Sequence, residues 1–495
     1  MFWTPNEGLL VRAWYPASTQ RAQPRNKRVI AQNQPLFMAS PNPKNDESPA
    51  LKDTKRKRLV VVGGGIGGLS SAYDANHLLR GEVDIVVVSE RESFQFTPSN
   101  PWIATHQRKP QDISLSLTKI LPRHNIEFIN SAVTQLNPKR QQLALSNGDK
   151  MEYDFLIIAT GPRLAFEEIP GTGPGKYTAS VCTTPHACEA AEAVDSLTKA
   201  PGPVVIGAVQ GASCFGPAYE FALLLHHELG KRGGAKLQEQ CPIQFVTSEP
   251  YVGHLGLKGA GESQKILENI FIKKGIEWFT NCKVDKVTKE SVSIEYLEDV
   301  GDGKHSKHSK TIKSKFNMLI PAFRGMEIWK SVPGLTDAEG MIQVNDYQQS
   351  VKYPNIFAVG IAAHMDSIEA TPVPTGVPKT GYMIESMGTA TVKNIQAIIK
   401  HQQKHGAEDQ YPELHTKALL NGVCITDFGN EGAIFLTLPQ LPPRRTDITI
   451  DGKVATLAKI AFEKYFLHKI ESGDTDPYYE KYMLHLIGVD RTQNI

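Results

Sequence analysis

The sequence predicts an α/β chain of two similar doubly wound halves followed by a separate C-terminal element. Three observations predict it. An apolar strand, a glycine loop and a helix follow one another in LVVVGGGIGGLSSAYDANHLL. The same order returns in PVVIGAVQGASCFGPAYE, and beyond Tyr411 the pattern gives way to an amphipathic stretch. Apolar strands alternating with helical segments imply parallel sheets covered on both faces.

The totals bound the answer. A chain of 495 residues can hold two or three domains with sizeable cores. A formal net charge of +2 gives no support to a nucleic-acid partner, whose footprint is a clustered basic surface. None of the six cysteines lies in a CxxC pair, so no metal site is expected, and a chain this long does not rest on a disulfide framework. No apolar run approaches the ~20 residues of a spanning helix, so any membrane contact is peripheral.

Taken in order, residues 1–57 form a predicted disordered extension rich in Pro, Gln and Asn; up to Arg58, eleven Lys/Arg face four Asp/Glu. It reads equally as an acid-poor transit segment, an untargeted extension, or a stretch upstream of a true start at Met38. From Leu59, Gly63, Gly65 and Gly68 stand at GxGxxG spacing between strand and helix, which makes a Rossmann-type dinucleotide loop. The next strand, Val83 to Ser89, ends where an acidic residue holds the adenosine ribose. Here that position is split between Ser89 and Glu90. The strand EYDFLIIATGP closes this half at Thr160-Gly161, and NIFAVGI, with Gly360 and then Ile361, returns the chain to it.

The second loop keeps the architecture and loses the phosphate cradle. Counting from Gly207, its second and third glycine positions are Val209 and Ala212. Electrons then come from a donor other than NAD(P)H, and Cys214, at the predicted start of the following helix, suggests sulfur. Further on, the Lys/His/Ser-rich stretch from Gly301 to Lys310 reads as a hairpin that looks like a solvated turn. The domains expected are 58–163 with 345–410, 164–344 with the degenerate loop, and 411–495. In the last, Leu457, Ile460, Ala461, Leu467 and Ile470 form one helical stripe with Lys459, Glu463, Lys464 and Lys469 largely elsewhere. That stripe is either a core-packing face or a monotopic membrane foot.

The motifs VCTTPHA, GASCFGPAYE, TSEPYVGHLG, NIFAVGI, VPTGVPKTG, GVCITDFGN and FEKYF occur in the order that resembles sulfide:quinone oxidoreductase, in its three-cysteine branch. The resemblance covers about residues 58 to 490. It implies a glutathione-reductase-like pair of dinucleotide-binding domains with an amphipathic, membrane-associating C-terminal element. It also implies FAD, oxidation of hydrogen sulfide to polysulfide or elemental sulfur, and reduction of a membrane quinone (ubiquinone, plastoquinone or menaquinone). The protein would be peripheral and monotopic, and a homo-oligomer is left open. The FAD set implied is Gly63, Gly65, Ile66, Gly67, Gly68, Ser89, Glu90, Ala132, Thr160, Gly161, Gly360, Ile361, Lys379 and Gly381. Cys214 and Cys424 would be the redox pair and Cys182 the third cysteine. Glu220, His186 and His254 would handle protons, while Ile425, Lys459, Phe462 and Tyr479 would line the quinone pocket.

The chemistry agrees. Thiolates are the nucleophiles of sulfur exchange, and a helix dipole at Cys214 favours one. Glu220, flanked by Ala218, Tyr219, Phe221 and Ala222, is a carboxyl whose pKa burial raises toward neutrality. A cation at Lys379 stabilises an anionic reduced flavin. Ile361 stands where such chains carry an Asp, so a polar contact to the ribityl chain is missing. Two rivals remain: a type II NADH:quinone dehydrogenase, which needs an intact second glycine loop, and a non-catalytic flavoprotein redox sensor.

Overall fold

The computed structural model describes residues 56–301, 304–406, 410–474 and 490–494. The expected extension at 1–57 therefore lies almost wholly outside the described residues, as does Tyr479.

The first parallel sheet is built from β1 (Lys57–Val62), β2 (Val83–Ser89), β3 (Glu127–Asn130) and β4 (Phe155–Ile158), with Ile356–Ala358 as its outer strand. Its order is Ile356–Ala358, β4, β1, β2, β3. Val60, Val61, Leu156 and Ile157 are fully buried, as unbroken apolar strands between two helical layers must be. Helix α1 (Ile66–Leu78) follows the first glycine loop.

The second parallel sheet repeats the plan. Strand β5 (Val204–Ala208) leads through a loop into a long helix and then β6 (Ile243–Thr247) and β7 (Glu277–Phe279). An antiparallel meander, β8 (Cys282–Val287), β9 (Ser291–Asp299) and β10 (His305–Lys313), precedes β11 (Phe316–Ile320), which pairs back on β5. Gly207 is required here by close approach, since a Cβ would lie 1.7 Å from the Val246 carbonyl oxygen.

The expected Lys/His/Ser hairpin is present as the antiparallel pair of β9 and β10, but most of its polar stretch is strand and not turn. Residues 305–310 belong to β10, whose pairing on β9 runs from Ser291 opposite Lys313 to Asp299 opposite His305. Alternate residues face water, so a strand edge coated with Lys and His looks, in sequence, like a polar turn.

The long helices set the site. After α2 (Asn100–Ala104) and α3 (Thr184–Lys199), α4 (Gly216–Gln240) crosses the second sheet, and α5 (Gly381–His405) lies along α1, where Thr389 Oγ1 donates to Asp74 Oδ2 at 2.6 Å. An antiparallel sheet, β12 (Gly422–Asp427), β13 (Gly432–Leu438) and β14 (Thr446–Gly452), then leads into α6 (Lys453–Ser472).

Helix α6 leaves the first part of its apolar stripe, Leu457 and Ala461, outside and buries only its end, Ile470. Its buried face carries Lys459, Glu463 and Lys469, while Val454 and Leu457 are 63% and 66% exposed and Ala461 faces out as well. The reason is ionic. Buried partners wait for each charge: Glu220 for Lys459, Arg108 for Glu463, Glu385 for Lys469. An unpaired buried charge is far costlier than an exposed leucine, so the pairs decide the rotation of the helix.

One carboxyl suspends the turn after β6. Glu249, fully buried, accepts Tyr219 Oη–H and Thr247 Oγ1–H at 2.6 Å each through Oε2, and Leu255 N–H at 2.6 Å through Oε1. Burial pushes its pKa from 4.5 up to about 7. The folded protein thus holds a proton that the unfolded chain has already released. Stability from this group is greatest below the lower value and falls as pH rises through that window, by up to about 1.4 kcal/mol per pH unit. Glu249→Gln should flatten this slope, read from urea midpoints across the window; an unchanged slope would refute the assignment.

Candidate functional site

The first glycine loop is shaped for an anion and a close backbone approach. Gly63 has φ +122°, and a Cβ there would meet the Ala159 carbonyl oxygen at 2.2 Å; one on Gly68 would meet the Gly63 carbonyl oxygen at 1.8 Å. Gly65 caps α1 with no side-chain hydrogen bond, leaving first-turn N–H groups for a phosphate. A Cβ on Gly67 would touch Ile384 and Val359 at 3.1 Å, and one on Gly381 would be 3.9 Å from Ile66, so the N-termini of α1 and α5 converge.

Around them stand the other expected cofactor residues. Ser89 is buried and its Oγ accepts the Arg91 N–H at 3.2 Å, whereas Glu90 is exposed. Ala132 has both backbone groups engaged with Ser146. Thr160 Oγ1 accepts the Trp329 indole N–H at 3.3 Å, and Gly161 and Gly360 have φ of +71° and +69°. Ile361 sits half-buried in the short turn Gly360–Ala362. Burial pulls the Lys379 ammonium down to about 8. Asp337 partly offsets that burial, and among the described residues the buried Thr380 hydroxyl has no hydrogen-bond partner. A buried cation and an orphaned hydroxyl between two helix N-termini fit the polar edge of a flavin together with its pyrophosphate.

The second loop is closed to a dinucleotide. Val209 N–H donates to the Ile320 carbonyl at 3.0 Å, Gly211 N–H to Pro374 at 2.7 Å, and Ala212 N–H to Val209 at 3.1 Å. Gly376 N–H returns to the Ala212 carbonyl at 2.8 Å, so the segment VPTG lies on the loop itself. The Gln210 amide is spent on both backbone groups of Val284.

Three thiols gather beside this loop. Cys182 precedes α3, Cys214 precedes α4 and Cys424 is central in β12. A Cβ on Gly216 would be 3.8 Å from Cys424 Sγ, which puts that sulfur over the first turn of α4. Burial pushes the Cys214 thiol up to about 12, and negative charge on Cys182 or Cys424 raises it further; Cys182 and Cys424 are each pushed up to about 11. The expected dipole-stabilised thiolate is therefore corrected. Helix α4 begins two residues later, with Phe215 as its cap, and desolvation outweighs the dipole. Cys241 and Cys282 are buried packing residues, and Cys188 is half-buried on α3.

The two histidines differ. His186 lies in the first turn of α3 against Phe166, with Nδ1 buried and without a partner among the described residues, and burial lowers its pKa. His254, 1% exposed, has both nitrogens engaged: Nε2 with Glu369 Oε1 at 2.8 Å and Nδ1 with the Gly256 N–H at 3.2 Å. Its geometry is that of a loop strut.

Beyond Cys424 lies a charged, buried cluster. Glu220 Oε1 pairs with Lys459 Nζ and accepts the Asp427 N–H at 3.0 Å. Burial raises the Glu220 pKa, and Lys459 restrains the rise. Ile425 is half-buried beside Cys424, and Phe462 packs 5.9 Å from Phe96 and 5.8 Å from Phe466. Sequence reasoning gave no role to Trp102, Arg108, Asp427 or Glu463, which complete this cluster. They come from segments over 300 positions apart with no shared periodicity; Asp427 and Glu463 stood within quoted motifs, and nothing in those motifs pointed to a shared cluster.

A family profile described as pyridine nucleotide-disulphide oxidoreductase matches residues 57–380. The chain is 41% identical to the sulfide-quinone reductase of Aquifex aeolicus over 87% of its own length and 95% of that relative's. The X-ray structure of the sulfide:quinone oxidoreductase from the same bacterium matches with a TM-score of 0.81 at 40% identity, over 89% of this chain and 97% of that one. The Plasmodium falciparum NDH2 structure in complex with NADH matches at TM-score 0.61 and 15% identity, over 82% and 94%, a likeness of fold alone.

Gly68→Ala should strip the cofactor. Overpacking of this kind costs about 1–3 kcal/mol, about tenfold in affinity for each 1.4 kcal/mol. The measurement is flavin absorbance per polypeptide after gel filtration, and full retention would refute the cradle.

Proposed function

Because the chain belongs to the pyridine nucleotide-disulphide oxidoreductases and, within them, to the sulfide-quinone reductases, we propose that it oxidises hydrogen sulfide and passes the electrons to a membrane quinone. The balance is HS⁻ + quinone + H⁺ giving zero-valent sulfur and quinol. The single observation that carries this reading is the gathering of Cys182, Cys214 and Cys424 where a second dinucleotide would otherwise bind.

Cys214 and Cys424 form the redox pair. HS⁻ attacks a sulfur of their oxidised bridge; one S–S bond forms, another breaks, and the displaced cysteine leaves as a thiolate. Burial holds these thiols neutral at rest, so each displaced thiolate needs a proton or an acceptor at once. His186, kept neutral by burial, can take a proton near Cys182, which serves sulfide entry or sulfur transfer. FAD, when bound, accepts the two electrons of each sulfide and delivers them to quinone. The N-termini of α1 and α5 would hold its pyrophosphate, Lys379 and Thr380 its polar edge, and the exposed Glu90 carboxylate or the free Ser89 O–H the ribose. Glu220, whose pKa burial raises and Lys459 restrains, handles protons at the quinone side, where Ile425, Phe462 and Lys459 frame the entrance.

The NADH reading fares worse because the N–H groups of Val209, Gly211 and Ala212 are spent inside the protein. An anaerobic titration separates the two. Sulfide should bleach the flavin band, a short-chain quinone should restore it, and NADH should do nothing; Cys214→Ala and Cys424→Ala should abolish the bleaching. Bleaching by NADH but not sulfide would reverse the assignment.

Attachment to the membrane surface uses the outward face of α6. Val454, Leu457 and Ala461 face solvent between Lys453 and Lys464, and Ile448 and Ile450 on β14 are also exposed. Among the described residues no helix is long and apolar enough to cross a membrane. Such a face, apolar with a basic rim, lies in the interface. The double variant Val454→Glu, Leu457→Glu should lower co-sedimentation with anionic vesicles by more than about tenfold, each buried side chain contributing about 1.5–3 kcal/mol. Unchanged binding would place the contact elsewhere.

A further inference from the structure

Trp102 stands at the centre of the charged cluster without a part in the reaction as described. It is 1% exposed, and its indole N–H donates to Asp427 Oδ2 at 2.8 Å. Lys459 Nζ lies 4.7 Å from the ring centroid and Arg108 Cζ lies 4.4 Å from it. Each cation is also held by a carboxylate, Lys459 by Glu220 and Arg108 by Glu463 at 2.8 Å. Asp427 ends the strand that carries Cys424. It is buried, takes Thr456 Oγ1–H at 2.8 Å and Gly429 N–H at 3.1 Å on Oδ1, and gives its own N–H to Glu220. One indole therefore ties together the strand of Cys424, the helix of Glu220 and the helix of Lys459.

We propose that Trp102, anchored by Asp427, is a positioning residue that seats the Lys459 ammonium against Glu220 and so sets the proton affinity of that carboxyl. Cation–π attraction strengthens as water is removed and as the ring becomes more electron-rich. An N–H donated to a carboxylate shifts electron density into the ring, so the Asp427 contact and the Lys459 contact reinforce each other. The seat matters because Glu220 is governed by two opposed effects: burial, which raises its pKa, and Lys459, which lowers it. The other charged or titratable groups on this assembly are Asp427 and Cys424 from β12, Arg108 from the segment after α2, Glu463 from α6, and His227 from α4 beside Asp427. If Lys459 loses its seat, the restraint weakens and the Glu220 pKa moves up.

The inference rests on Glu220 being the proton-handling carboxyl of quinone reduction, and the test separates the two. In the holoenzyme, the pH profile of sulfide-dependent quinone reduction is measured for wild type, Glu220→Gln, Trp102→Leu and Trp102→Phe. Glu220→Gln should remove one limb. Trp102→Leu should move that limb up by about one pH unit, lowering kcat with the sulfide KM unchanged. Trp102→Phe, which keeps a ring and loses the Asp427 bond, should move it by less. A limb absent from wild type, or untouched by Glu220→Gln, defeats the reading of Glu220. A limb that Glu220→Gln removes but Trp102→Leu leaves in place defeats the role of Trp102 alone. A uniform loss of rate at all pH values, with the limb unmoved, marks a structural part only and also defeats it. Should neither Trp102 variant retain FAD, the near-UV indole difference spectrum of the wild type decides. It should step with the midpoint of the limb and lose that step in Glu220→Gln; no step overturns the proposal.

Discussion

The buried pair between Glu220 and Lys459 is the interaction on which the rest of the site depends. Both side chains are almost fully enclosed, so each would carry a desolvation penalty of several kcal/mol if left alone. Together they fix the rotation of α6, because the lysine must point inward and the next charges, Glu463 and Lys469, follow it on the same face. Val454, Leu457 and Ala461 are left outside by the same constraint, while Ala455, Phe466 and Ile470 share the buried face. An exposed apolar patch and a buried ion pair are thus two consequences of one choice of helix orientation.

The two parallel sheets begin from one pattern and end in different chemistry. In the first, Gly63 and Gly68 keep the loop tight and leave the helix N-terminus free for an anion. In the second, Gly207 is retained for packing on Val246, but Val209 and Ala212 turn the loop onto the 374–376 segment, and its donors bind the protein instead of a phosphate. The space so released holds three thiols. Their pKa values, raised by burial, keep them from reacting indiscriminately with solvent oxidants, since the thiolate is the reactive form.

Much of this was legible from sequence, and the failures have physical causes. Local patterns carry strands, helices and glycine loops, so both parallel sheets and the closed second loop could be read from Leu59 and Pro203 onward. The stripe on α6 left a core-packing face and a membrane foot both open, because hydropathy does not encode the buried carboxylates that capture Lys459 and Lys469. The helix dipole at Cys214 lost to desolvation, which depends on atoms from other segments packed around the sulfur. The solvated turn of the Lys/His hairpin extends in sequence to Lys310 and in the structure ends before His305, because an exposed edge strand and a loop have the same composition.

The sequence by itself determined the two nucleotide-type folds, the loss of the second phosphate cradle and the apolar flanks of Glu220. Each follows from residues close together along the chain, where spacing dictates geometry. Only the tertiary structure decided that Trp102, Arg108, Asp427, Lys459 and Glu463 form one cluster around Glu220, and which face of α6 meets solvent. Those outcomes depend on charges meeting across hundreds of residues. Burial multiplies the strength of such a meeting, and burial is a property of the folded molecule.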